Sequence, residues 1–455
     1  MMNDDTIMAL STPPGTGALA VIRMTGPDAF LITDKAFRGK RLSEAETHTL
    51  HYGYMEDGGT TIDEVVVGIF KAPHSYTKED VIEISCHGSM FIVQRIIQVL
   101  LDHGARHAKA GEFTLRAFMN GRMDLAQAEA VADLISSDSE SAHRAALNQM
   151  RGGFSSELKK LRDELLHFAA LIELELDFAE EDVDFANRKE LADLIIRIKS
   201  HVLNLKDSFA LGNVIRHGVA TVIAGRPNAG KSTLLNALLN EERALVSEIP
   251  GTTRDAIEEM ININGIIFRL IDTAGIREAT DVIERMGVEK TMEKIRQSAM
   301  VIYVFDVNEI SYDDLLVDLS QLPSNDIPVI AVGNKIDEIS EEQLLKKMEG
   351  FKNLLFISAR ENIHLDLLRN KIVSMITKDK DLSDQTIVTN ARHYDSLNRT
   401  HKALTDVEHS LESGISKEFF ASDIRRALNT LGEITGDIAT EDILGVIFSK
   451  FCIGK

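Results

Sequence analysis

A glycine-rich segment in the middle of the 455-residue chain has the residue types that bind phosphate. It reads GRPNAGKS, residues 225–232, and stands between the apolar run VATVIA and STLLNALL. Glycines let the backbone wrap the phosphates, Lys231 reaches the β- and γ-phosphates, and the Ser232 hydroxyl can ligate Mg²⁺. A glycine-rich turn without a ligand is the alternative, but the flanking strand and helix patterns favour a nucleotide site. The predicted phosphate contacts are Asn228, Ala229, Gly230, Lys231, Ser232 and Thr233.

Two later segments have the residue types that recognise guanine. NKID, residues 334–337, follows the run IPVIAVG, and SAR, residues 358–360, ends the next apolar run. The Asp337 carboxylate can accept from the ring N–H and the exocyclic amino group of guanine, a pair of donors that adenine lacks. The predicted base contacts are Asn334, Lys335, Asp337, Ser358, Ala359 and Arg360.

Between the phosphate and base segments lie GTTRD, residues 251–255, and DTAGIRE, residues 272–278. These are predicted to be the two switches, in which Thr253 closes on Mg²⁺, Asp272 holds Mg²⁺ through water and the Gly275 amide meets the γ-phosphate. Five motifs in this order predict a GTPase. Ile276 stands where a Ras-like enzyme has its water-orienting glutamine, and its side chain cannot make a hydrogen bond. The predicted nucleotide contacts in and beside the switches are Ser247, Thr252, Thr253, Asp272, Thr273, Ala274 and Gly275.

Apolar patterns predict the elements that position these residues. Residues 1–118 contain short β-rich runs, ALAVIRM and EVVVGIF, and a helix at FIVQRIIQVLLDHG, which indicates an α+β domain. Residues 119–215 and 381–455 are predicted to be helical, and residues 216–380 alternate strand and helix with near-continuous apolar strands. We therefore predict a multidomain α/β and α protein. A Ras-like P-loop domain with a doubly wound, mostly parallel sheet is inserted into a helical domain that is formed from two chain segments.

Two features of the first helical segment have alternative interpretations. Apolar residues recur every three or four positions, which favours packing of a helical bundle over a partner-binding stripe. The acidic run that includes Glu180, Glu181, Asp182 and Asp184 could hold a metal, but a solvated loop between helices is the simpler interpretation.

Composition limits the compartment and the partners. The net charge of -21 argues against a surface that is broadly basic for nucleic acid, so any RNA contact must be local or shared. Two cysteines cannot form a disulfide framework, and no apolar run is long enough to cross a bilayer. We expect a cytoplasmic protein without a membrane partner.

The whole chain resembles the MnmE family, also called TrmE, of tRNA modification GTPases. The resemblance lies in DTIMALSTPPGTGALAVIRMTG, GEFTLRAFMNGRMDLAQAEA, the nucleotide motifs, DTAGIREATDVIERMG and the terminal CIGK. It implies that potassium supplies the charge of an arginine finger while two G domains dimerise across GTP. It also implies that Glu284 orients the attacking water, although this acid could be a solvated helix residue. The implied potassium contacts are Asn228, Ser247, Ile249 and Thr252.

The resemblance also implies roles for both ends of the chain. The N-terminal domain would form a homodimer and bind a formylated tetrahydrofolate such as 5-formyltetrahydrofolate through Arg23, Glu83, Arg122 and Lys455. Without the family these four residues would be ordinary surface or salt-bridged groups. Cys452 would lie near the folate, or it would be a small buried hydrophobe. The implied function is modification of wobble-uridine C5 in tRNA with the flavoprotein MnmG; a GTP-dependent ribosome-assembly factor is the alternative.

Overall fold

The computed structural model describes residues 5–177, 188–242, 259–271, 293–322, 327–340, 342–343, 346, 354–377, 386–413 and 417–454. In these residues the strands are β1 Ile7–Leu10, β2 Leu19–Thr25, β3 Phe37–Arg38, β4 Thr49–Asp57, β5 Thr60–Phe70, β6 Val81–His87, β7 Arg106–His107, β8 Val219–Ala224, β9 Glu259–Ile263, β10 Ile266–Ile271, β11 Met300–Asp306, β12 Val329–Asn334 and β13 Leu355–Phe356. The helices are α1 Ala29–Ala36, α2 Met90–Asp102, α3 Glu112–Met119, α4 Leu125–Ile135, α5 Glu140–Met150, α6 Gly153–Asp177, α7 Arg188–His217, α8 Lys231–Glu242, α9 Tyr312–Ser320, α10 Leu365–Thr377, α11 Ala391–Ser413, α12 Lys417–Thr435 and α13 Glu441–Phe448.

The chain forms two compact units. The first contains residues 1–132, 149–194 and 403–455, and the second contains residues 133–148 and 195–402. Both ends of the chain therefore belong to the first unit. The sequence predicted four segments, with boundaries at residues 118, 215 and 380 that were drawn from motifs and apolar patterns. That division into four stays a prediction.

The first unit is built on a seven-stranded sheet. The strand order is β3-β4-β5-β6-β2-β1-β7, and every pair is antiparallel except β1 with β7. One face carries the main apolar core, in which Ile22 and Met24 of β2 pack with Val93 and Ile96 of α2. Because side chains alternate along a strand, Arg23 lies on the opposite face.

The helices of the first unit confirm the periodicity expected from the sequence. Leu158, Leu165 and Ile172, which belong to the apolar pattern of three- and four-residue spacing, are buried in α6, and α6 packs against α12 as the predicted bundle requires. The last helix, α13, buries Phe448, and Phe451 follows it into a small cluster with Leu125. This cluster brings the C-terminal segment into the core of the first unit.

The second unit contains a six-stranded sheet of order β13-β12-β11-β8-β10-β9. Every adjacent pair is parallel except β10 with the edge strand β9. Neighbouring residues of β8 enter different cores, Val222 on one face and Ile223 on the other, so both faces are covered. The predicted doubly wound P-loop domain is confirmed.

The edge strand β9 was not predicted. It pairs with β10 through a two-residue turn in which Asn264 and Gly265 both have positive φ, 51° and 81°. Asn-Gly between apolar runs is a strong hairpin signal, so the hairpin of β9 and β10 could have been predicted from the sequence. Among the described residues no helix combines the length and hydropathy needed to span a membrane.

Candidate nucleotide site and N-terminal polar cluster

The P-loop, residues 225–232, joins β8 to α8 in a conformation that requires its glycines. A Cβ at Gly225 would lie 2.0 Å from the Val304 carbonyl oxygen. At Gly230, where φ is 93°, a Cβ would lie 2.1 Å from Asn334 Nδ2. Asn228 also has positive φ, at 61°, and is exposed. A tight glycine-rich turn of this kind next to a sheet can present backbone amides to a phosphate.

Lys231 begins α8 and is tied to the loop that precedes it. Its Nζ donates to the carbonyl oxygens of Gly225 and Arg226, at 2.9 and 2.7 Å. Burial lowers the pKa of Lys231. Ser232 and Thr233 occupy the exposed first turn of α8, where the positive end of the helix dipole favours phosphate.

The Asn334 amide links three of the predicted motifs. It is buried at the end of β12, and its Nδ2 donates to the Ala229 carbonyl oxygen at 2.9 Å. Its Oδ1 accepts from the Ala359 amide at 3.0 Å. One side chain therefore holds the phosphate loop and the SAR loop in a fixed relation to the base-reading segment.

The other residues of the base segments lie at the same edge of the sheet. Asp337 lies in the short 3-10 helix Ile336–Glu338 that follows β12, and its side chain is exposed. Lys335 has positive φ and pairs with Asp306 at the end of the neighbouring strand, with Nζ 2.6 Å from Oδ2. Ser358 is fully buried, whereas Arg360 is exposed. The predicted base segments thus both follow parallel strands, β12 and β13, at the carboxyl edge of the sheet.

Several predicted residues lie outside the described part of the chain. They are Ser247, Ile249, Thr252, Thr253, Asp272, Thr273, Ala274, Gly275, Ile276, Glu284 and Lys455, together with the acidic residues Glu180, Glu181, Asp182 and Asp184. Their roles stay predictions. In the described residues, no group of three His, Cys, Asp or Glu side chains could hold a metal ion. The role of Ser232 as a ligand of Mg²⁺ also stays a prediction.

On the N-terminal sheet, two residues of the predicted folate site meet directly. Arg23 and Glu83 are register partners on β2 and β6, and Arg23 Nη2 lies 2.7 Å from Glu83 Oε1. The Arg23 guanidinium carbon lies 5.5 Å from the ring centroid of Tyr76 and 6.0 Å from that of Phe113. An arginine that lies beside two aromatic rings and pairs with a carboxylate can contribute to binding a planar, polar ring system.

Arg122 belongs to the same electrostatic environment. Burial raises the pKa of Tyr76, a hydrogen bond with Thr114 opposes that rise, and the positive charges of Arg23 and Arg122 oppose it further. Neither Tyr76 nor Phe113 was singled out in the sequence. Tyr76 lies in an irregular segment, and no periodic pattern brings it to Arg23.

The C-terminal segment lies against this part of the first unit. The Gly111 amide donates to the Cys452 carbonyl oxygen at 3.4 Å, and Ile453 forms an antiparallel bridge with Ala110. Ser11 Oγ donates to the Gly454 carbonyl oxygen at 3.4 Å. Cys452 is exposed, so the interpretation of this cysteine as a small buried hydrophobe is wrong.

Comparison with known families matches nearly the whole chain. Residues 6–122 match the family model described as GTP-binding protein TrmE N-terminus, and residues 125–452 match the model described as MnmE helical domain.

Curated relatives share this length. A tRNA modification GTPase MnmE of Cytophaga hutchinsonii is 56% identical over 99% of this chain and 98% of its own. Proteins of the same name from Flavobacterium psychrophilum and Bacteroides fragilis are 52% and 47% identical, each over 100% of both chains. The solved structure of an Aquifex aeolicus Era variant bound to GDP.AlF4- is 28% identical over 41% of this chain and 66% of its own, with a TM-score of 0.29.

Proposed function

Because the chain belongs to the MnmE family of tRNA modification GTPases and is a GTP hydrolase, we propose that it is a potassium-activated GTPase that acts with the flavoprotein MnmG. Together they would modify C5 of wobble uridine in cytoplasmic tRNA with an aminomethyl or carboxymethylaminomethyl group. The observation that carries this proposal is the contact of the Cys452 segment with Ala110 and Gly111, in the unit that also holds the Arg23 and Glu83 pair. The same chain has a P-loop with its lysine in place. A ribosome-assembly role has no comparable support, since the full-length relatives are named for tRNA modification.

Potassium would replace the missing arginine finger in hydrolysis. Charge that develops on the γ-phosphate needs a fixed positive charge, which is worth about 10³ to 10⁵ in rate when an arginine supplies it. Asn228 is exposed in the phosphate loop, and its amide oxygen is a hard ligand suited to K⁺. Thr253 and Ser232 would hold Mg²⁺, and Glu284 would orient the water that Ile276 cannot.

The N-terminal cluster would bind a formylated tetrahydrofolate. Glu83 can accept from the amino edge of a pterin, and Arg122 can pair with the carboxylates of the glutamate tail. The Arg23 and Glu83 pair is itself a salt bridge, so binding would have to exchange part of that pair for ligand contacts. Tyr76 offers an aromatic edge at the same place. Lys455 follows Gly454 directly and would add a terminal charge.

We expect deletion of residues 452–455 to separate GTP turnover from tRNA modification. The tail makes backbone contacts at Ala110 and Gly111 and belongs to the first unit, whereas the nucleotide motifs belong to the second. In the truncated protein, hydrolysis should stay fast in potassium salts and slow in sodium salts at equal ionic strength. Wobble-uridine content should fall in cells that carry only this protein.

The matched control is Ile453→Ala, which changes an exposed side chain and keeps Cys452 and Lys455. This variant should modify tRNA normally. Equal GTP turnover in potassium and sodium salts would contradict activation by potassium. Normal tRNA modification by the truncated chain would contradict a role for the tail in that reaction. Loss of both activities would assign the tail to folding instead.

A further inference from the structure

The outer half of the phosphate loop, residues 226–228, is held by an ion pair whose acidic partner lies outside every nucleotide motif. Arg226 Nε donates to Asp318 Oδ2 at 2.7 Å, and Arg226 Nη2 donates to Asp318 Oδ1 at 2.8 Å. Asp318 is on α9, 92 residues away along the chain. We propose that Arg226 is a positioning residue for GTP hydrolysis: Asp318 holds its guanidinium, and its backbone carbonyl oxygen fixes the place of the Lys231 ammonium.

The Asp318 carboxylate is itself held in place. The Tyr303 hydroxyl of β11 donates to Asp318 Oδ2 at 2.7 Å, and the Asp318 side chain is only 14% exposed. The hydrogen bond from Arg226 holds the pKa of Asp318 below its usual range, so the carboxylate is ionised at neutral pH. A planar guanidinium on a fixed carboxylate has two parallel hydrogen bonds, which restrict its direction as well as its distance.

The pair reaches the active lysine through the backbone of Arg226. The same residue that binds Asp318 with its side chain accepts from Lys231 Nζ with its carbonyl oxygen, at 2.7 Å. The Gly225 carbonyl oxygen takes a second proton of the ammonium, at 2.9 Å, which leaves the third for a phosphate oxygen. A shift of the Arg226 backbone would therefore move the ammonium.

The two halves of the loop have different supports. The inner half is held at Ala229 by the buried Asn334 amide. Residues 226–228 lie in a turn rather than in a strand or helix, and the Arg226 side chain joins that turn to α9. Asn228, the proposed potassium ligand, is in this outer half, so the ion pair would also influence how the loop meets the cation.

Kinetics of Arg226→Ala, Asp318→Ala and the double variant test this inference in the full-length protein. We expect each single variant to weaken GDP affinity roughly threefold to tenfold, the range of a well-formed ion-pair network. kcat should fall about tenfold or more, because small displacements of a catalytic group are costly. The double variant should be no worse than the worse single variant, since the two residues act as one unit.

Further variants distinguish positioning from general stability. Arg226→Lys keeps the charge but loses the two-point geometry, so it should recover part of kcat at an unchanged melting temperature. Tyr303→Phe removes one hydroxyl and should have a smaller effect on kcat. The control is Lys346→Ala, which removes an exposed ion pair with Glu342 in the same unit and should leave turnover unchanged. Wild-type affinity and kcat in Arg226→Ala would overturn the proposal. If that variant does not fold, wild-type kinetics in folded Arg226→Lys and Tyr303→Phe would overturn it equally.

Discussion

At the scale of single residues, the nucleotide site depends on side chains that join segments distant in sequence. Asn334 bonds to Ala229 and Ala359, and both bonds are buried. Asp337 differs from Asn334 because its side chain is exposed. Asn334 organises the site, whereas Asp337 is proposed to recognise the ligand.

Asp337→Asn should exchange GTP for XTP. The amide no longer offers two acceptor oxygens to the guanine donors, but its NH₂ can donate to the C2 oxygen of xanthine. We expect GTP affinity to fall by at least about tenfold and XTP affinity to rise, because a hydrogen-bonding site discriminates strongly against a mismatched base. Titration of each nucleotide measures both changes.

The neighbouring acid provides the control. Glu338→Gln alters an exposed carboxylate in the same 3-10 turn, and GTP affinity should change little. Undiminished GTP binding by Asp337→Asn would mean that the guanine-reading residue had been misassigned.

Local motifs were predicted from sequence more completely than the contacts between them. The glycines and Lys231 of the P-loop form one short segment, so their spacing alone indicates phosphate binding. Arg226 is in that segment too, but its partner Asp318 is an ordinary acid of an amphipathic helix in the sequence. Arg226 follows β8, and α9 with Asp318 follows β11. The two residues, 92 positions apart, meet because β8 and β11 are adjacent in the sheet, which the sequence alone does not show. Tyr76 was missed for the same reason.

At the scale of elements, α3 is attached to the N-terminal sheet by a network of charges. Arg106 of β7 and Arg116 of α3 both bind the Asp5 carboxylate, with N–O distances of 2.7 and 2.6 Å. Arg106 also binds Glu112, and Arg116 reaches Glu79. Arg116 is buried, so the loss of a carboxylate partner would leave its charge poorly compensated.

Asp5→Asn should therefore lower the free energy of unfolding, and the loss should depend on pH. Hydrogen bonding from Arg106 lowers the pKa of Asp5 in the folded protein. A carboxyl whose folded pKa is depressed stabilises the fold above its unfolded pKa, about 3.9, and loses that contribution as the pH falls through the folded pKa. We expect a deficit of roughly 1–3 kcal/mol at pH 7 that shrinks below pH 4.

Urea unfolding at a series of pH values measures this difference. Asp57→Asn is the matched control, because Asp57 pairs with Arg95 on an exposed surface and should contribute little. A deficit for Asp5→Asn that is the same at pH 7 and pH 3 would contradict the assignment to an ionised network.

At the scale of the whole molecule, the N-terminal sheet has an open apolar area on the face that carries Arg23. Leu50, Tyr52 and Leu19 are 73%, 60% and 66% exposed, and Val66 is 38% exposed. The register places Tyr52 opposite Val66, so these side chains are neighbours on the sheet. We propose that this area forms the homodimer interface, since several exposed apolar side chains on one face of a sheet mark a protein contact.

Leu50→Asp should weaken that dimer. A charge in the apolar part of an interface costs desolvation energy without a partner, so the dimer dissociation constant should rise at least about tenfold in sedimentation equilibrium. Leu31→Asp changes an exposed leucine of α1, on the other side of the sheet, and serves as the control. A monomeric wild-type protein, or an unchanged constant in Leu50→Asp, would reject this interface.

The bond between Ser11 and Gly454 spans 443 residues, and this has a consequence for biosynthesis. Every strand of the N-terminal sheet leaves the ribosome long before the segment that lies against it. At about 5–20 residues per second, the delay is on the order of tens of seconds. The sheet of the second unit is complete within that interval, whereas the first unit keeps an uncovered surface until residues 452–454 have been made. A nascent chain can therefore acquire its nucleotide fold before the contact between Ser11 and Gly454 is made.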